Sequence, residues 1–156
     1  MMHSALQISR KIDYALRAVI SMAEQADGSL VSFRQIAAIE AIPKDFLAKI
    51  LRQLVEAGVV SSTRGARGGY CLARPASQIS FLEVIEAVDG PIVLNLCLGE
   101  NSPCDMSCDC SMLDVWRRAQ AAMLDVFRTT SIADVRRSGQ RTYGTPVDAL
   151  LADALQ

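Results

Sequence analysis

No apolar run in this 156-residue sequence approaches the roughly 20 residues that a membrane-spanning helix needs. The opening stretch, MMHSALQISRKIDYAL, has no uninterrupted apolar segment followed by a small-residue cleavage site, so a cytoplasmic chain is expected. Histidine is nearly missing, His3 being the only one. The cysteines lack the paired CxxC…CxxC rhythm of a zinc ribbon and the CxxCxxC run of bacterial ferredoxins. The glycine-rich segment 64–69 lacks the Lys-Ser/Thr pair and the helix that a phosphate-binding loop requires. No second cofactor motif accompanies the cysteines. These absences argue against a redox carrier or any other enzyme, and no catalytic residue and no small-molecule substrate is expected. Apolar residues make up 51% of the chain and charged residues 21%, which suits one core, or a small domain with an extension.

The low net charge of −1 hides an asymmetry. Residues 1–80 carry ten Lys/Arg and six Asp/Glu, a net of +4, whereas residues 81–156 carry six and eleven, a net of −5. A basic N-terminal half is a weak pointer to nucleic acid. Cysteine is also unevenly placed. Of five, only Cys71 lies outside the stretch CLGENSPCDMSCDC, which holds Cys97, Cys104, Cys108 and Cys110. Thiolates this close, separated by polar residues, Gly and Pro, can wrap zinc or an iron–sulfur centre. A disulfide pair and plain packing thiols are the alternatives. An odd cysteine count in a cytosolic chain favours metal or redox chemistry over a disulfide framework.

Apolar spacing predicts a first helix over 8–25, with Ile8, Ile12, Ala15, Leu16, Val19 and Met22 on one face. Ser32 and Gln35 form a capping box that opens a short helix to Glu40. After a turn at 41–42, Pro43 opens a third helix to Ala57, with Phe46, Leu47, Ile50, Leu51, Leu54 and Val55 on its apolar face. A short helix, a tight turn and a longer helix make a helix-turn-helix. Strands at 59–62 and 70–73 flank the turn RGARGG, a β-hairpin wing with Arg64 and Arg67 at its tip. Glycines there, Gly68 among them, allow positive φ and close backbone approach. A linker at 75–78 leads to a second capping box, Ser80 with Glu83, and a helix to Val88. Beyond the cysteines a helix over 111–128 is apolar around nearly its whole circumference and needs cover on two sides, most simply from a second copy. A short helix capped by Ser131 follows, and then a tail expected to be mobile.

The expected fold class is therefore mainly α with a small β-hairpin: a winged helix-turn-helix domain over 6–80, a cysteine loop and long dimerisation helix over 81–136, and a tail over 137–156. Such a protein binds a double-stranded DNA operator. Lys44 and Asp45, at the start of the third helix, are best placed for base edges. Lys49 and Arg52 face phosphates or solvent, while Arg34, Arg64 and Arg67 supply phosphate or minor-groove contacts.

These features resemble the winged-helix iron–sulfur repressors of bacteria, the family of the cluster regulator IscR, the nitric-oxide-sensing repressor NsrR and the rhizobial iron regulator RirA. The resemblance rests on IDYALRAV at 12–19, STRGARGGYCLARPASQIS at 62–80, the cysteine loop, and TTSIADV at 129–135. It implies a homodimeric DNA-binding regulator, a repressor, whose affinity is controlled by a cluster that senses nitric oxide, iron or redox state. The family's third cysteine precedes a helix tryptophan by six residues, which matches Cys110 before Trp116. Cys104 and Cys97 then match the other two ligands, and Cys108 has no counterpart. IscR-type proteins also use a histidine, where this chain has Leu113. NsrR-type proteins use an aspartate of the partner's first helix, a position matched by Asp13. The missing histidine favours 4Fe–4S over 2Fe–2S. His3 lies in an extension the family usually lacks. Cys108 keeps two alternatives open: it could itself be the remaining ligand, or it could resolve a disulfide in a thiol switch. Zinc is the third alternative.

Overall fold

The computed structural model describes residues 8–99 and 110–135. Helix α1 spans Arg10–Ala23 and buries Ile12, Ala15, Leu16, Ala18, Val19 and Met22. It starts two residues later than its apolar pattern predicts, because Ser9 takes the cap position and accepts the Ile12 N–H at 3.4 Å. Ile8 is left outside the helix and 53% exposed.

Helix α2, Phe33–Ile39, opens on the predicted capping box. The Gln35 N–H donates to Ser32 Oγ at 3.3 Å, and the Ser32 N–H to Gln35 Oε1 at 2.9 Å. Helix α3, Lys44–Glu56, follows Pro43, which serves as the cap residue and not as part of the helix. Its buried stripe is Leu47, Ile50, Leu51 and Leu54. Phe46 departs from expectation: it is 51% exposed, and its ring meets Tyr14 edge-on at 6.0 Å. Three to four residues per turn place position 46 a quarter-turn from the middle of that stripe, at the α1 flank. The turn between α2 and α3 places Ala41 at φ +52°, in the left-handed region.

The wing is an antiparallel pair, β1 (Val60–Thr63) and β2 (Gly69–Leu72), with Val60 opposite Leu72 and Thr63 opposite Gly69. Val31 adds a bridge: its N–H donates to the Tyr70 carbonyl, and it accepts from the Tyr70 N–H, both at 2.9 Å. The residue that precedes the α2 cap is thereby fixed to the base of the wing. A Cβ on Gly68 would collide with the Thr63 carbonyl oxygen, and one on Gly69 would lie 2.7 Å from that of Val31.

After a short 3₁₀ turn at Ala76–Gln78, α4 (Phe81–Asp89) begins beside α6 (Ile132–Val135). Ser80 and Ser131 form an antiparallel bridge, with the Phe81 N–H on the Thr130 carbonyl and the Ile132 N–H on that of Ile79, both at 2.8 Å. Each serine also caps its own helix, with Glu83 and Asp134 completing the two boxes. Partial burial opposes ionisation of Glu83, but donors from Ser80 and from Arg74 (2.8 Å) outweigh it and hold its pKa below the usual carboxylate value. One contiguous core takes in α1, α3, the wing base, Ile79, Val84, Ile85 and Ile132, so it crosses position 80.

Helix α5 spans Leu113–Thr129, starting two residues later than predicted because the Leu113 N–H first closes a turn onto the Cys110 carbonyl. Among the described residues no helix is long and apolar enough to cross a membrane.

A non-glycine residue in the left-handed region costs about 1–2 kcal/mol, partly offset by the backbone entropy that glycine loses on folding. Ala41→Gly should therefore stabilise the fold by about 0.5–1 kcal/mol. Urea unfolding with an unchanged m-value is the check, and a lower midpoint would contradict the strained turn.

Candidate DNA-binding surface and cysteine loop

The residues expected to touch DNA sit on three connected elements. Lys44 and Asp45 occupy the first turn of α3, with Lys49 one turn on, and all three side chains are exposed. Arg52 continues that outward face but is engaged by Glu56, Nε to Oε1 at 2.8 Å. Arg34 is exposed in the first turn of α2, and Arg64 and Arg67 are exposed on the wing loop. Two short links hold these elements in register. The Val31–Tyr70 bridge joins the start of α2 to the wing. Gly58, at φ +71°, turns α3 directly into β1, with the Val59 N–H closing on the Leu54 carbonyl at 3.0 Å. The assembly offers a polyanion a helix N-terminus, a glycine-rich loop and six cationic side chains, of which Arg52 is paired with Glu56.

Asp13 is exposed in the first turn of α1, where Arg17 pairs with it, Nε to Oδ2 at 3.1 Å. Arg17 also donates to the Glu40 carbonyl at 3.4 Å, at the edge of the turn between α2 and α3. Sequence reasoning passed over Arg17, although its i,i+4 spacing from Asp13 was a readable signal.

Cys97 lies in a 3₁₀ turn, Leu96–Leu98, and Cys110 just ahead of α5. Both are free thiols and half-buried, as is Cys71 on β2. Cys104 and Cys108 fall outside the described residues. Gln120 of α5 accepts the Leu94 N–H at 2.8 Å, which fastens the approach to Cys97 against the long helix. Cys97, Gln120, Ala121 and Leu124 line one open groove along α5. Two soft sulfur donors at the two ends of one loop suit a metal that selects thiolate.

Helix α5 carries three stripes. Leu113 is buried, with Trp116, Gln120, Met123 and Phe127 half-buried along the same side. Met112, just ahead of the helix, leads a second apolar stripe of Val115, Ala119, Ala122 and Val126, all exposed, and Val115 and Val126 are each 59% accessible. Asp114, Arg117, Arg118 and Asp125 form the polar remainder. The second stripe follows the alternating three- and four-residue spacing of a helix–helix seam.

The family model for iron-dependent transcriptional regulators named Rrf2 matches residues 8–138. The chain belongs to the Rrf2 family. A Mycobacterium tuberculosis protein named as an HTH-type transcriptional regulator, Rv1287, is 37% identical over 130 residues, covering 83% of this chain and 81% of the other. Among solved structures, the global cysteine regulator CymR of B. subtilis superposes with a TM-score of 0.70 at 28% identity, covering 84% of this chain and 96% of that one. IscR of T. potens superposes with a TM-score of 0.67 at 25% identity, covering 87% and 94%. The protein is thus a winged-helix transcriptional regulator and not an enzyme, as its sequence implied.

For an Rrf2 regulator with this wing, Arg64→Ala and Arg67→Ala should each weaken DNA binding and lower the slope of log K against log salt by about one unit. Fluorescence anisotropy across a salt series measures this. Unchanged slopes in both variants would remove the wing from the DNA surface.

Proposed function

We propose that this regulator is a cytoplasmic, DNA-binding homodimer, a repressor, whose operator affinity is set by an iron–sulfur cluster held by Cys97, Cys104 and Cys110. The observation that carries this reading is the pair of free, half-buried thiols, Cys97 and Cys110, at the ends of a loop that runs into α5. Family membership and the likeness to IscR support it. Such a cluster, when bound, would supply a centre that reacts with nitric oxide or oxidants and whose occupancy falls when iron is short. The chain's own residues do the rest. Gln120 fixes the segment that carries Cys97, and Leu113 ties Cys110 to the start of α5. Asp13 of one subunit is the candidate fourth ligand for the cluster of the other, which favours 4Fe–4S. A carboxylate is a harder, weaker donor than thiolate, so that iron position is the labile one.

Lys44 and Asp45 are assigned to base edges in the major groove, Lys49 to phosphates, and Arg34, Arg64 and Arg67 to phosphates or the minor groove, with Gly68 keeping the wing loop tight. In a dimer the two α3 helices must match half-sites one or more helical turns apart, so a small rotation between subunits lowers affinity. The exposed stripe on α5 is the proposed dimer seam.

A second reading keeps the DNA surface and replaces the cluster with a thiol switch. The likeness to the oxidised form of Staphylococcus aureus CymR favours it, as does the extra Cys108 beside Cys110. Zinc on the same cysteines is its variant. Absorbance after anaerobic purification separates them: a brown protein with a broad band near or above about 400 nm supports iron–sulfur, and a colourless one overturns it.

Cys97→Ala, Cys104→Ala and Cys110→Ala should each abolish or severely deplete the cluster, whereas Cys108→Ala should retain it and Asp13→Ala should retain a cluster with an altered spectrum or faster decay. Cluster loss in Cys108→Ala with parental behaviour in Asp13→Ala would make ligation all-cysteine and within one subunit. For the seam, Val126→Asp should give monomers at micromolar concentration in sedimentation, since an unpaired charge in such an interface costs several kcal/mol. A folded, dimeric Val126→Asp would place the interface elsewhere.

A further inference from the structure

The last carbonyls of a helix have no partner within it and must be satisfied from outside. In α4, the Gly90 N–H takes the Glu86 carbonyl at 3.0 Å, and Pro91 has no N–H to continue the pattern. The Val88 carbonyl is met from two sides instead. Lys11 Nζ of α1 donates to it, and so does Gln53 Nε2 of α3, at 3.3 Å. A cation at the C-terminal end of a helix is also favoured by the helix dipole. Gln53 is half-buried on the flank of α3, one turn beyond Lys49 on the same side of the helix. One acceptor therefore ties three helices together at this point, and one of the three is the helix assigned to DNA.

That acceptor stands at the root of the cysteine loop. Two residues on, Gly90 at φ +81° redirects the chain, Leu94 is held by Gln120, and Cys97 follows. A change in the loop that pulls on the segment after Gly90 turns the last carbonyls of α4. Turning the Val88 carbonyl takes an acceptor from Gln53 and frees the flank of α3 that also carries Lys49.

We propose that Gln53 and Lys11, converging on the Val88 carbonyl, are positioning residues that couple the cysteine loop to the DNA-reading helix within a single subunit. The proposal rests on the reading that the loop controls DNA affinity, and it adds a route that does not need the partner's Asp13.

The test uses the full chain in a Cys71→Ser background, purified anaerobically, against a duplex selected from random DNA by the parent protein. DNA affinity is measured before and after the loop is stripped with a chelator and alkylated with iodoacetamide. Hydrogen exchange of the α3 amides is followed across the same change. The parent should shift its affinity by about tenfold, a typical coupling, and change exchange at the C-terminal half of α3. Gln53→Met and Lys11→Met should keep DNA binding but reduce the shift to less than about threefold, with α3 exchange no longer responding to the loop. Lys11→Arg, which keeps a donor, should restore the shift. A full shift in both methionine variants overturns the coupling, because a merely structural role lowers stability and leaves the ratio intact. A parent that shows no shift is a different pattern: it overturns loop control of DNA affinity and takes the coupling with it.

Discussion

Burial of one face of α1 is the constraint on which the rest of the structure depends. Ala15, Ala18 and Val19 have no accessible surface, and Ile12, Leu16 and Met22 are nearly as closed. The two alanines let neighbouring backbones approach, while the larger side chains fill the space between α3, α4 and the wing base. Each fully buried aliphatic side chain on that stripe contributes about 1.5–3 kcal/mol of transfer free energy. The helix-turn-helix, the wing and α4 thus share one apolar surface, and none of them can shift far without exposing it. This shared surface makes a carbonyl between α1, α3 and α4 a natural point of leverage.

Much of this architecture was readable because its signals are local. Ser32 with Gln35 and Ser80 with Glu83 announce helix starts through side-chain hydrogen bonds that need no tertiary partner, and both boxes form. The Arg64–Gly69 turn was readable for the same reason, since only a wing of this tightness needs glycine where a Cβ would strike Thr63 or Val31. What escaped the sequence is contact between distant segments. Phe46 fits the α3 apolar pattern, yet its side chain is claimed by Tyr14 at the surface. The Val88 carbonyl carries no sequence signal at all, because its partners lie 77 and 35 residues away. The candidate site residues on α2, α3 and the wing come from motif and charge, whereas the bond from Arg17 to the Glu40 carbonyl is visible only in the fold. Cys104 and Cys108 are known from spacing alone.

The charge division of the chain acquires a physical sense in this fold. Arg34, Lys44, Lys49, Arg52, Arg64 and Arg67, six of the ten cations of the N-terminal half, are displayed on α2, α3 and the wing, while acidic residues outnumber basic ones in the sequence of the other half. A polyanion is attracted to this cationic surface. Because Arg52 is already paired to Glu56, its share of that attraction is reduced, and the wing arginines carry more of it.

The bridge between Ser80 and Ser131 has a consequence for how the protein is made. Ile132 has no accessible surface and is hydrogen-bonded to Ile79, so the core of the DNA-reading unit closes only with a residue far down the chain. Synthesis at about 5–20 residues per second puts several seconds between the emergence of these two isoleucines from the ribosome. During that interval the nascent winged helix stands with one side of its core open to water. The fold of this unit is therefore completed only once nearly the whole described chain has been translated.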